Sequence, residues 1–526
     1  IMKNIVIVGG GFAGWYTALA LNQNCPDYNI TVIDSKNYPR LGVGETLGWS
    51  APYDWKRLLH LGDDRILMWE TGSIYKYGLS ATNFYQDNTS YSYGKFFNLK
   101  VKSLARFFSE FTYPEYYEPW NVRPGDAGLQ QIWFNLNKDT DKTFDDYTYE
   151  LNEASFFTRS NKAPYTLDNE YVLRTQEGWS YHIDAETFVQ FLKSKCNNVT
   201  HRESTITDVV KQNSNIKYLV TDSDDHIHAD MFIDCSGFQR VLVKHMPEME
   251  LTDWHLPTTN SAWVCPTRYQ DPQSEMCGGT QIYGEDWGWR FKVNLYHRAG
   301  NGCVFNSTDT DPDIVQQHMQ TLTQGRQIAE PKLIQWKPAY VKKPWIGNVL
   351  ALGIASYFID PFDAPTFDVH SRNLEDLIKG VEHEEFNTKA NIITQERNYR
   401  LLYNFSTSKR SGVFWDQQRE LFTTEAENTF IQILENRVPS IDSRLSHNWY
   451  QMYYRMCNAS GFDRSKVNID INISKGDQDM AQAFFQYNKA RNKYIETQPW
   501  PNYYEWLKEH RFNGKTHTQV LERIMK

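Results

Sequence analysis

Hydrophobic positions follow two rhythms along this chain: short β-branched runs broken by turn residues as far as about residue 370, then a helical period. Asn4-Ile-Val-Ile-Val8 is an unbroken apolar run of strand length, the pattern of a strand buried on both faces. Ala13 to Asn24 reads as a helix with small residues near its start, Pro26 stands just past its end, and Ile30-Thr-Val-Ile33 gives a second strand closing on Asp34. Trp55 to Leu61 has the spacing of a short amphipathic helix. Ile74 to Leu79 reads as a strand on which Lys76 shares a face with Ile74 and Gly78. Residues 181–196 predict a helix with Asp184 as its N-cap. Thr205–Val210 and Ile216–Thr221 are strand-like, and the apolar strand within Ala229–Gly237 ends in a small-residue turn from Asp234 to Gly237. Ser261–Pro266, Gly279–Tyr283, Trp287–Leu295 and Gly302–Asn306 predict an antiparallel region, with Trp287 and Trp289 on one strand face. Trp345 to Leu352 gives a further strand. Residues 85–170, rich in Tyr, Asn and Asp with weak periodicity, predict long loops and short helices of a substrate-covering insertion. After residue 371, Leu374–Val381, Phe414–Glu435, Asp479–Glu496 and His517–Met525 read as helices with no chemical signature, a cap over the substrate region.

The turn after the first strand changes this from a pattern into a chemistry. Gly9-Gly10-Gly11-Phe12-Ala13-Gly14 fits G-x-G-x-x-G, and strand, glycines, helix, second strand and terminal acid together make a dinucleotide-binding βαβ unit. The glycines let the backbone approach a pyrophosphate whose charge rests on the free N–H groups of the helix N-terminus. Asp34 is placed to accept hydrogen bonds from a ribose hydroxyl. Asp234 to Gly237 falls at the carboxyl end of a strand, where open α/β sheets bind ligands. The fold class is therefore α/β, with a Rossmann-like nucleotide domain, an antiparallel-sheet substrate region and a C-terminal helical subdomain. The expected boundaries are 1–370 for the core, with an insertion at about 80–180, and 371–526 for the helices.

Composition narrows the partners. A net charge of −9 and the lack of any Lys/Arg-rich run argue against nucleic acid. The 7 cysteines are scattered with no C-x-x-C pair, which suggests reduced thiols in the cytoplasm and no metal site. No run of about 18 apolar residues predicts a membrane span, and no charged-then-apolar signal segment precedes the first strand. At 15% aromatic, the chain suits a site that holds planar molecules.

Gly42-Val-Gly-Glu-Thr46, Tyr181-His-Ile-Asp-Ala185, Ile233-Asp-Cys-Ser-Gly-Phe238 and the stretch from Gly347 to Asp363 join the glycine motif in one order and spacing. The set resembles the flavin-dependent tryptophan-type halogenases, which share the fold of single-component flavin monooxygenases. The resemblance runs over roughly 3–50, 180–310 and 340–420. It implies FAD, supplied as FADH2 by a separate NAD(P)H-dependent flavin reductase, with O2 and a halide ion making hypohalous acid. It further implies flavin contacts from Gly9, Gly11, Phe12, Ala13, Gly14, Asp34, Gly44, Glu45, Ile206, Ile354 and Phe367. Lys76 falls where the family has its essential lysine, and Asp363 where it has its catalytic glutamate. Trp287 and Trp289 resemble the tryptophans of its W-x-W wall, and Pro365-Thr366 stands where its Thr-Gly pair holds chloride. The expected partner is a small electron-rich aromatic, an indole or phenol, and a homo-oligomer stays open.

Departures from the family carry their own expectations. Gly-Trp-x-Trp-x-Ile-Pro reads Asp286-Trp-Gly-Trp-Arg-Phe-Lys292, and Glu-Ser-Thr-Gly reads Asp363-Ala-Pro-Thr366. Asp363 is one methylene shorter than glutamate, and Pro365 brings no N–H. The halide pocket is therefore expected to favour bromide or iodide over chloride. Around Phe96-Phe97-Asn98 the family's tryptophan-binding residues are not reproduced, which makes an aromatic other than free tryptophan the safer class. Two rivals share the scaffold: an FAD-dependent aromatic hydroxylase and a flavin-binding protein without catalysis.

Overall fold

The computed structural model describes residues 3–37, 44–62, 64–96, 104, 128–173, 178–435, 443–469 and 473–524. In chain order the elements used below are β1 (Lys3–Val8), α1 (Phe12–Asn24), β2 (Tyr28–Asp34), β3 (Gly44–Thr46), β4 (Ile74–Lys76), β5 (Gly78–Thr82), β6 (Ser90–Tyr93) and β7 (Ser180–Asp184). There follow α2 (Ala185–Lys195), β8 (Val199–Glu203), β9 (Met231–Asp234), β10 (Ser261–Thr267), β11 (Gly279–Glu285), β12 (Gly288–Asn294), β13 (Ala299–Phe305) and α3 (Pro312–Thr323). The remainder are β14 (Lys332–Gln335), β15 (Trp345–Ile346), β16 (Val349–Ala351), α4 (Pro365–Ile378), α5 (His383–Ser406) and α6 (Ser443–Ser460).

β1 sits inside a six-stranded sheet of order β15-β16-β9-β1-β2-β8, parallel except for β15. Val8 lies level with Ile33 on one side and Asp234 on the other, so the glycine loop, Asp34 and the 234–237 turn open at one carboxyl edge. α1 packs its small residues on this sheet, burying Trp15 to Leu21 without an apolar stripe because both its faces are covered.

A second sheet, β14-β10-β13-β12-β11-β5-β6, is antiparallel apart from one junction. There β5 runs parallel to β11, Gly78 beside Gly279. A parallel pair needs a long crossover, and the intervening chain supplies one, a link that local alternation does not reveal. The third sheet, β3-β7-β4, sets Gly44 opposite Asp184 and Lys76 opposite Ser180. The expected 181–196 helix thus begins as strand over 181–184: α2 starts at Ala185, and Asp184 caps it by accepting from the N–H groups of Glu186 and Thr187.

Two long helices of the C-terminal part, α5 and α6, fall within the expected helical subdomain but are not among the segments whose periodicity marks a helix. From Ile393 onward α5 buries Glu396, Arg397, Asn398, Arg400 and Asn404 beside its apolar residues and has no exposed position, so no polar face marks that half. A helix enclosed on all sides by polar partners does not write an amphipathic period. Among the described residues, no helix is long and apolar enough to cross a membrane.

Candidate active site

The glycine loop is fixed by contact. Gly9 has φ +114°, and a Cβ there would lie 2.4 Å from the Cys235 carbonyl oxygen. A Cβ on Gly14 would stand 1.8 Å from Gly9 O, so α1 packs on the loop with no room for a methyl group. Gly11, the N-cap of α1, offers no side-chain cap, the first turn holds no acid, and a Cβ there would meet nothing. Those open N–H groups fit the pyrophosphate of FAD. Asp34 Oδ1 accepts from Gly10 N at 3.3 Å, and Ser35 Oγ meets Thr205 Oγ1 at 2.8 Å, which holds Ile206 near the end of β2. Phe12 stacks on Phe367 (5.8 Å, 9°), and the turn at Gly353-Ile354 touches Ala13. Gly14→Ala is expected to lower stability by about 1–3 kcal/mol through overpacking and to weaken FAD binding, read by denaturant unfolding and by FAD titration.

From this edge the chain leads to the lysine. Gly44 and Glu45 lie in β3, where burial and then the Asp184 charge push the Glu45 carboxyl up to about 7. Asp184 is itself anchored by Arg298 Nε at 3.0 Å and Nη2 at 2.6 Å. Lys76 ends β4 and is only 7% exposed. Its Nζ donates to Leu47 O at 2.9 Å and lies 5.6 Å from the Trp49 ring centre, a cation–π distance. Burial pulls the amine down to about 8; Asp363 and Asp368 oppose that shift and Arg455 adds to it. On β7, His182 is pushed down to about 3 by burial and then by the Lys76 charge, so its ring is neutral. Its Nδ1–H therefore donates to Asn294 O at 2.9 Å, and Nε2 accepts from the Thr280 hydroxyl at 2.8 Å. Thr280 Oγ1 meets Thr46 Oγ1 at 2.9 Å, which ties β3 and β11 to the lysine's strand partner.

Opposite the lysine's charge stands Asp363. It and Ala364 have φ of +65° and +51°, two successive left-handed residues without glycine, just before Pro365 opens α4. Such backbone costs of order 1–2 kcal/mol per residue and needs a surrounding that enforces it. Arg400 supplies part of that, pairing Nη2 with Asp363 Oδ2, while Arg455 Nη2 lies 3.8 Å from the same oxygen. Burial pushes the Asp363 carboxyl up, but Arg400, Arg455 and Lys76 outweigh it and hold it below the usual carboxylate range. Asp368 accepts from Arg397 at 2.9 Å and Ser50 at 3.3 Å. Glu396, 3.0 Å from Arg397 Nη1, is pushed up to about 8 by burial.

The segments expected to carry no chemistry thus deliver Glu396, Arg397 and Arg400 from α5 and Arg455 from α6. The signal for the first three was available: charged residues at helical spacing in a stretch that leaves them no polar face to occupy.

The tryptophans do not share a face. Trp289 is buried against Phe84 and Phe362, the residue before Asp363. Trp287 lies in the turn before β12 and packs on the opposite side of the sheet, against Phe305 and His318 of α3. Gly288, with φ +152° and no room for a Cβ, which would lie 2.3 Å from Val304 O, breaks the alternation that the spacing implied. Only Trp289 joins the wall beside Asp363. Pro365 is buried without an N–H, and the Thr366 hydroxyl donates to Tyr357 O at 3.2 Å. Gly42 and Val43 of the Gly-Glu-Thr loop, and Phe97 and Asn98, lie outside the described residues.

Comparison with known proteins agrees with this architecture. Residues 4–459 match the family described as tryptophan halogenase. Tryptophan 7-halogenase RebH of Lentzea aerocolonigenes is 23% identical over 438 residues, 80% of this chain and 79% of the relative. The 7-chloro-L-tryptophan 6-halogenase KtzR of Kutzneria sp. (strain 744) is 21% identical over 540 residues, 96% of this chain and 98% of its own. Among solved structures, tryptophan halogenase from Shewanella frigidimarina superposes with a TM-score of 0.78 at 19% identity, covering 97% of this chain and 98% of that one. The flavin-dependent halogenase Xcc4156 from Xanthomonas campestris gives 0.74 at 21%, covering 97% and 98%. With a family match across most of its length and a Rossmann-like sheet that fits FAD, this chain belongs to the tryptophan halogenases, a family of flavin-dependent enzymes.

Proposed function

We propose that this enzyme halogenates an electron-rich aromatic molecule, an indole or a phenol, using hypohalous acid positioned by Lys76. The observation that carries the reading is the buried Lys76 amine, lowered to about 8 and set among Asp363, Arg400 and Arg455. FAD held at the glycine loop of Gly9, Gly11 and Gly14, and reduced by a separate NAD(P)H-dependent reductase, would supply hypohalous acid from O2 and halide. The Lys76 ammonium, steered by Leu47 O, donates a hydrogen bond to the oxygen of that acid. As the ring carbon attacks the halogen, the oxygen takes the proton and leaves as water. The ring is then a cation, and the neutral amine of Lys76 is a base matched to take its proton. Asp363, ion-paired and held ionised, is a weak base; its charge stabilises the cationic ring. The residues around Lys76 exclude water, which keeps these interactions strong.

The halide reading rests on α4. Pro365 contributes no N–H, and the loss of one hydrogen bond to a charged partner is worth about 1.5–3 kcal/mol. Chloride, the ion that depends most on such donors and the hardest of the three to oxidise, is expected to turn over at least about tenfold more slowly than bromide or iodide. Product formation measured by mass spectrometry with FAD, reductase, NADH and each halide in turn checks this, and a clear chloride preference refutes it. Hydroxylated product formed without halide would assign oxygen transfer to the site instead.

A further inference from the structure

Two peptide planes set the direction in which the Lys76 side chain leaves β4, and each is held from outside the strand's own sheet. β4 is the edge strand of β3-β7-β4, so its outer row of backbone groups has no strand of that sheet to pair with. The N–H of Tyr77, part of the peptide after Lys76, donates to Gly278 O at 2.6 Å. The carbonyl of Tyr75, part of the peptide before it, accepts from the Tyr503 hydroxyl at 2.6 Å. Tyr503 lies 428 residues further along and opens the helix α7 (Tyr503–His510). It is fully buried, its N–H donates to Asn161 O at 2.8 Å, and its ring stands 6.0 Å from that of Tyr77. The same segment braces the rest of the strand's back. The Trp506 ring is 6.0 Å from the Tyr75 ring, the Arg511 guanidinium carbon is 5.2 Å from it, and the Tyr75 hydroxyl donates to Asp64. Tyr75 and Tyr77 thus fill the face opposite Lys76, and α7 closes over them. Asn502 anchors the start of α7: its Oδ1 accepts from Glu505 N at 3.2 Å and its Nδ2 donates to Gln273 O at 2.8 Å.

We infer that Tyr503 is a positioning residue for Lys76: its hydroxyl fixes the peptide from which the lysine projects and so keeps the amine at Leu47 O. The consequence for turnover rests on the halogenase reading of the site, but the first test needs no turnover. The Lys76 amine is titrated by its acetylation rate across pH, read by mass spectrometry of the peptide that carries it, in FAD-loaded enzyme without halide or aromatic. The midpoint is expected near 8 in the unaltered enzyme. Tyr503→Phe removes one oxygen and lets the strand tilt, so the amine loses its buried seat. Its midpoint is expected to rise by at least about one pH unit, towards the ordinary lysine value of about 10.4. The groups that face the amine, Asp363, Asp368, Arg455 and neutral His182, are common to both proteins. Halogenation is expected to slow about tenfold, with the KM for the aromatic within about twofold. Trp506→Phe thins the same brace but keeps the Tyr503 hydroxyl, and is expected to lower Tm with the midpoint unmoved. Should Tyr503→Phe not fold, Asn502→Ala loosens α7 at its surface anchor and is expected to raise the midpoint by a smaller amount. A Tyr503→Phe enzyme whose Tm falls while midpoint and turnover hold overturns the inference. So does an equal shift in Trp506→Phe, which would mean that any loosening of the brace is enough. A raised midpoint in an enzyme that halogenates nothing keeps the positioning role and removes the halogenase reading; halogenation lost in Lys76→Ala but untouched by Tyr503→Phe does the reverse.

Discussion

Lys76→Ala is expected to lower the rate of aromatic halogenation by about 10²–10⁴-fold, the range for a positioned proton donor, while FAD affinity stays within about twofold. The separation follows from the structure: the lysine's amine bonds Leu47 O and faces the Trp49 ring, whereas the glycine loop is fixed by Asp34 and the Phe12–Phe367 stack. The fold is expected to tolerate the change. Leu47 O keeps a donor in Ser180 Oγ at 3.1 Å, and the lysine itself is under strain from burial. Its folded pKa, about 8, lies below the unfolded value of about 10.4. The unfolded chain therefore binds more protons between those pH values, so stability rises with pH across that window and the charged lysine opposes folding below it. Activity moves the other way. If the ammonium is the hydrogen-bond donor, turnover falls as pH rises through about 8; a nucleophilic amine forming an N-haloamine would make it rise. Product yield by mass spectrometry across pH, with hypohalous acid trapped by a scavenger, reads both. Undiminished product in the variant would mean that free hypohalous acid does the work and would remove the lysine's role.

How much of this was legible depended on how local the physics was. Gly9 and Gly14 are dictated by contacts within one βαβ unit, so motif and spacing were enough. Asp184 was readable as an N-cap, but the strand before it was not, because β7 exists only through pairing with β3 and β4. Trp287 misled for a different reason: one glycine with φ +152° reverses a strand face, and alternation assumes ordinary backbone. Lys76 could be placed by resemblance, whereas the cations around Asp363 could not. Arg400 and Arg455 lie on helices packed against that loop from far along the chain, and the half of α5 that carries Arg400, with its polar residues buried, leaves no amphipathic trace. Their absence from the sequence-based picture also left Asp363 without the ion pairs that set its charge.

That last point has a large measurable consequence. If Asp363 were an unpaired base, Asp363→Asn would reduce turnover and leave stability nearly untouched. The structure instead shows a carboxylate, 21% exposed, shared by Arg400 and Arg455 and facing the charge of Lys76. Removing its charge strands those cations, so Asp363→Asn is expected to lower unfolding free energy by about 3 kcal/mol, the low end for a broken buried pair. Asp363→Glu, which keeps the charge but fits a left-handed φ of +65° less well, is expected to lose about 1 kcal/mol. Acid behaviour supplies an independent sign. The folded carboxyl titrates below its unfolded value of about 3.9, so its contribution is complete above that pH and disappears as pH falls through the folded value. The Asn variant should therefore differ most from the unaltered enzyme near neutral pH and converge with it in acid. Pairing Asp363→Asn with Arg400→Met removes both ends of the contact and is expected to recover most of the lost stability. Turnover in that double variant should stay depressed by about 10²-fold or more, since nothing then offsets the positive charge on the ring. Recovery of both stability and turnover would show that Asp363 only holds Arg400 in place; recovery of stability alone would mark its charge as part of the chemistry.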